Sequence, residues 1–86
     1  MDKLSFLIAA IERAKGEVVE AREAENFLIA NQPHNTTAIR FLDSAIYAQQ
    51  RFIAGMFEEI IEELSPLSEG DAQTVERLLE EFHQLF

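Results

Sequence analysis

Apolar residues recur three and four positions apart through most of this chain, which is the spacing that lines one face of an α-helix. Leu4, Leu7, Ile8, Ile11, Ala14, Val18, Ala21 and Leu28 form a first stripe, and Val75, Leu78, Leu79, Phe82 and Leu85 form a shorter one near the end. Between them lies a broader pattern. Phe41, Leu42, Ala45, Ile46, Ala48, Phe52, Ile53, Met56, Phe57, Ile60, Ile61 and Leu64 spread over an arc of roughly 200° on a wheel of about 100° per residue, about twice what one packing partner covers. The stripes are interrupted at Asn31-Gln32-Pro33-His34-Asn35-Thr36-Thr37 and at Ser65-Pro66-Leu67-Ser68-Glu69-Gly70-Asp71. Each break pairs a proline, which removes a backbone donor and disfavours helix in the residue before it, with side chains able to cap the next helix. The pattern predicts helices over about 3–31, 36–64 and 71–85 in a single domain spanning 1–86. The predicted fold class is all-α: a long antiparallel helical hairpin plus a short C-terminal third helix, self-associating through the surplus apolar surface of the second helix.

Pairing the first two helices about the short turn places Leu28 near Phe41, Val18 near Gln49, Ile11 near Met56 and Leu4 near Leu64. The third helix then covers part of the second near its C-terminal end, leaving Phe41, Ala45, Ala48 and Phe52 open as a candidate protein interface, with Met56 continuing the face. Gly16 falls inside the first helix, and a closely crossing neighbour would account for it.

Charge modifies this picture at one end only. The chain has 16 acidic and seven basic residues, and residues 58–86 hold nine of the acids against one base, Arg77, for a net of −8. Residues 1–57 are close to neutral. Such a balance argues against direct nucleic-acid binding, which needs clustered Lys and Arg, and suits either solubility or docking on a basic protein surface, with Glu59 and Glu63 as candidate contacts. No apolar run approaches the roughly 18 residues of a membrane span, so no membrane partner is expected. The opening Met1-to-Ile11 run ends in Glu12-Arg13 without a cleavage pattern and reads as helix rather than signal peptide. The absence of cysteine excludes disulfides, thiolate metal sites and thiol catalysis, and is in keeping with a cytoplasmic setting.

Candidate chemistry is sparse. Arg22, Glu25, Asn26, Arg40, Tyr47 and Gln49 all lie in the half of the hairpin near the turn and could line a polar site for an anionic ligand between protomers. The simpler account is surface ion pairing, Glu25 with Arg40 or Arg22 with Asp43. Glu80 and His83 form Glu-x-x-His, which with a carboxylate from Glu59, Glu62 or Glu63 would supply half of a dimeric di-iron carboxylate site. A solvated helix face explains the same spacing, and no cofactor is expected. His34 and His83 are far apart, glycines occur only at 16, 55 and 70, and no phosphate loop or zinc signature is present, so the expected action is binding without catalysis.

The run Pro33-His34-Asn35-Thr36-Thr37-Ala38-Ile39-Arg40-Phe41-Leu42-Asp43-Ser44-Ala45-Ile46-Tyr47-Ala48, with Ile53 beyond it, resembles the hairpin of phage-encoded sponge proteins that sequester cyclic-nucleotide immune signals. The aromatic, Tyr47, stands one position out of step with that family. The resemblance implies a homo-oligomer with ligand pockets between protomers and an anti-defence role. Phe41-Leu42-Asp43-Ser44-Ala45-Ile46 within a short hairpin also resembles the small co-chaperones of type III secretion needle subunits, which implies action by protein contact alone. The resulting expectation is a small acidic helical homo-oligomer that captures a partner protein as inhibitor or adaptor, with cyclic-nucleotide sequestration as the alternative and a di-iron protein as a distant third.

Overall fold

The computed structural model describes residues 2–86, and the protein is all-α: α1 spans Lys3–Asn31, α2 Thr36–Glu63 and α3 Glu69–Leu85. Each helix starts on a side-chain cap that satisfies a backbone donor with no partner inside the helix. The Asp2 carboxylate accepts from Ser5 N at 2.7 Å, Asn35 Oδ1 from Ala38 N at 3.4 Å, and Ser68 Oγ from Asp71 N at 3.2 Å. The Ser68 cap starts α3 two residues earlier than the sequence pattern predicts, taking Gly70 into the first turn. The N–H groups that hold Asp2 also lower its carboxyl pKa below the ordinary value, because they favour the ionised form.

α1 and α2 form the expected antiparallel hairpin. Gln49 donates to the Glu17 carboxylate across it, and Lys3 Nζ meets Glu59 and Glu63 at 2.7 Å each, so the pairing runs in step from the turn to the open end. The core joins Leu7, Ile11, Ala14 and Val18 of α1 to Ile53, Met56, Phe57 and Ile60 of α2 and to Val75 and Leu78 of α3. The Phe57 and Phe82 rings meet edge to face at 5.7 Å and 63°, a contact that adds about 0.5–1.5 kcal/mol to their burial.

α3 begins beside Lys3 and Leu4 and runs parallel to α1 as far as Arg22, whose guanidinium lies 5.5 Å from the Phe86 ring. Its 17 residues give a rod of about 25 Å against about 43 Å for the 29 residues of α1. The turn-proximal part of the hairpin therefore projects beyond the three-helix body, within overall extents of 49 × 20 × 17 Å. No residue from 19 to 52 is buried: all ten core residues lie in 7–18, 53–60 and 75–78. The body is a three-helix bundle and the arm is a bare helix pair.

Two expectations fail here. Gly16 has open space around it rather than a crossing helix, with nothing within 4 Å of where a Cβ would stand. Met56 is buried at 6 % exposure in the chain's own core, so it does not extend the open face of α2.

Candidate functional site

Because α1 and α3 both pack on one side of α2, the other side carries the surplus apolar residues into solvent. Phe41 is 72 % exposed, Phe52 54 % and Tyr47 58 %. Ala48 and Gly55 are also exposed, and Ala45 is half-buried at the edge of the hairpin contact. Phe41, Ala45, Ala48, Phe52 and Gly55 follow one another at intervals of four, three, four and three residues, so they form one straight stripe about 20 Å long on a helix rising 1.5 Å per residue. The stripe stops where α2 becomes acidic. Gly55 belongs to it and escaped the sequence reading, although the same spacing that selects Phe52 selects it. Phe6, Phe27, Ile29 and Ile61 are further exposed apolar residues scattered over other surfaces.

The acidic end is partly neutralised from within. Glu59 and Glu63 are both held by Lys3, and Glu81 bridges Lys15 at 3.1 Å and Arg77 at 3.2 Å. The two carboxylates raise the Lys3 pKa above its ordinary value by hydrogen bonding to its ammonium. Glu58, Glu62, Glu69, Asp71, Glu76 and Glu80 are exposed and, among the described residues, have no cation within 4.0 Å. These six, more than Glu59 and Glu63, are the acids open to an outside partner.

The polar residues near the turn do not assemble into a single constellation. Arg22 lies over Phe86, Gln49 is engaged by Glu17, and Arg51 lies 5.9 Å over the Tyr47 ring. Asn26 and Arg40 are exposed. The expected ion pairs of Glu25 with Arg40 and of Arg22 with Asp43 do not form. Glu25 faces Asp43 instead, at the same level of the hairpin. Its Oε2 is sealed from solvent without a donor while ionised. A protonated Glu25 can donate to Asp43, and with partial burial and the negative charge of Asp43 this raises the Glu25 pKa; Arg22 pulls the other way. The pairing about the turn contained the signal for this contact.

Glu80 and His83 are exposed on the last turns of α3, near the level of Lys15 and Arg22, whereas Glu59 and Glu63 sit at the level of Lys3. Twelve residues of α1 separate those levels, about 18 Å. The fold therefore does not bring the acids of α2 to the Glu-x-x-His pair. Among the described residues no three His, Asp or Glu side chains are placed to hold a metal ion. No helix among them is long and apolar enough to cross a membrane.

Comparison with protein-family models, with curated proteins and with solved structures gives no match for this chain.

Proposed function

We propose that this protein acts by binding rather than catalysis: copies associate through the open stripe of α2 and capture a basic partner protein with the acidic end, as an inhibitor or adaptor. The observation that carries the reading is the segregation of the two surfaces. The aromatic stripe lies on a nearly neutral arm, and six exposed carboxylates that have no cation within 4.0 Å among the described residues lie on the three-helix body. An apolar seam holds copies together, while unpaired surface charge governs the rate and choice of encounter with an oppositely charged partner. The cyclic-nucleotide alternative draws less support. Of the residues it needs, Arg22 and Gln49 have partners inside the chain, leaving Arg40 as the open cation.

The test measures association with a defined basic protein, such as a histone-like or lysozyme-type probe, across salt concentrations, together with calorimetry against a panel of cyclic nucleotides. Reversing Glu58, Glu62, Glu76 and Glu80 to Lys is expected to slow association with the basic probe at least tenfold and flatten its salt dependence. Tight nucleotide binding lost in Arg40→Ala, with no basic-protein binding, would replace this reading with the sponge.

A further inference from the structure

The stripe on α2 is patterned to pair with itself in one direction. Phe41, Ala45, Ala48, Phe52 and Gly55 occupy alternating a and d positions of a heptad over two turns of the repeat, the arrangement of a two-helix seam. Read from either end it runs large, small, small, large. An antiparallel seam brings a positions opposite d positions, so a two-fold axis passing between Ile46 and Tyr47 sets Phe41 against the partner's Phe52 and Ala45 against the partner's Ala48. Gly55 then faces the partner's Ala38. Two alanine layers at the centre let the helices approach closely, and an aromatic layer closes each side. We infer that two copies of this chain pair antiparallel through α2 in this register. The inference rests on the self-association proposed above and adds its geometry.

Charge selects the direction. A parallel pairing would set Glu58, Glu59, Glu62 and Glu63 of the two copies side by side, adding like charges to chains that already carry −9 each. In the antiparallel register the two Glu58 residues stand about 35 Å apart along the axis, several times the screening length of about 8 Å at physiological salt. Each acidic end instead lies beside the partner's Asn31–Asn35 turn, which contains no Asp, Glu, Lys or Arg. The contacting part of α2 carries only Arg40, Asp43 and Arg51.

Size is adequate for a specific contact. Taking a phenylalanine as about 200 Å², exposures of 72 % and 54 % leave about 250 Å² of ring surface per copy on the stripe. With the small residues and the flanking Ser44 and Arg51, the pair buries roughly 1,000 Å² in total, in the range of weak, transient interfaces, as suits a reversible dimer. The assembled molecule presents its two acidic ends at opposite poles, so it engages two basic partners, or two sites on one, without their competing for space.

Because the chain contains no cysteine, disulfide trapping has no background. Ala45→Cys and Ala48→Cys variants, differently tagged, are mixed and mildly oxidised, and sedimentation of the unmodified protein is measured at tens of micromolar. Facing positions reach the usual disulfide separation of about 5.5–6 Å, whereas like positions are offset by about 4.5 Å along the axis in addition to the distance between helices. The heterodisulfide is expected in at least tenfold excess over either homodisulfide. Spin labels at Glu62→Cys are expected to lie more than about 40 Å apart between copies, and under about 20 Å if the pairing is parallel. Homodisulfides with a short label distance in a dimeric protein overturn the register and leave self-association standing. A monomer in sedimentation overturns both, while loss of basic-probe binding alone overturns only the partner reading.

Discussion

Replacing Gly16 by alanine tests whether the outer face of α1 is free, and the size of the effect follows from the structure. Gly16 lies near the middle of a 29-residue helix, has no left-handed backbone to protect, and has nothing within 4 Å of the site a Cβ would occupy. The substitution therefore meets no steric cost and gains the helix-propensity difference, about 0.8–1.0 kcal/mol. For 86 residues the unfolding entropy is about 0.18 kcal/mol/K, so the midpoint should rise by about 5 °C. The assay is thermal and urea unfolding followed by helical circular dichroism, at a concentration low enough that assembly does not contribute. Gly55→Ala carries the same propensity gain and the same open surroundings in the isolated chain, but it lies on the stripe proposed to receive a second copy. Its gain should match that of Gly16→Ala when dilute and fall below it at concentrations that favour the dimer. A loss of stability in dilute Gly16→Ala would refute the reasoning, since it would mean that another segment crosses α1 at that point.

Phe57→Ala should cost about 3–5 kcal/mol in urea unfolding, since Phe57 is 4 % exposed and its ring meets Phe82, whereas Phe52→Ala, at 54 % exposure, should leave dilute stability within about 1 kcal/mol and weaken the dimer in sedimentation. Ser68→Ala should destabilise the protein by about 1 kcal/mol through loss of the α3 cap, measured by the same unfolding transition. The raised Glu25 pKa has a defined sign: the folded state binds this proton more tightly, so melting temperature should rise as pH falls from 7 through that raised value toward 4.5, then decline at lower pH as the depressed pKa of Asp2 is reached. Asp43→Asn should raise stability at pH 7 and flatten the upper part of that profile.

The hairpin was legible because its signals are local. Pro33 with Asn35 and Pro66 with Ser68 mark the breaks and caps, and the three-and-four spacing of Leu7, Ile11, Ala14 and Val18 marks the face that the structure buries. The exposure of Phe41, Ala48 and Phe52 was legible too, since a 200° arc is about twice what one packing partner covers and the third helix was expected to cover α2 only near its C-terminal end. Long-range packing was harder to read. The level at which α3 packs along α1 depends on where Phe82 and Phe86 find contacts, and that level decides the separation of Glu80 and His83 from the acids of α2. The partners of Arg22 and Glu25 depend on the same placement. Arg22 goes to the Phe86 ring, and Glu25 is left against Asp43.

The two ends of the hairpin differ in both packing and charge. A 17-residue third helix buries the half of the hairpin where α2 is most acidic, and there Lys3, Lys15 and Arg77 offset Glu59, Glu63 and Glu81. At the level of the arm, Leu28, Ile39, Leu42 and Ile46 are only half-buried. A two-helix arm of this kind gains stability from whatever covers it. Covering that arm with a second copy adds no acidic surface to acidic surface. A basic partner seated on the arm would meet a region with little negative charge to attract it. On the proposed reading, charge would direct a basic partner to the body and leave the aromatic stripe to a second copy.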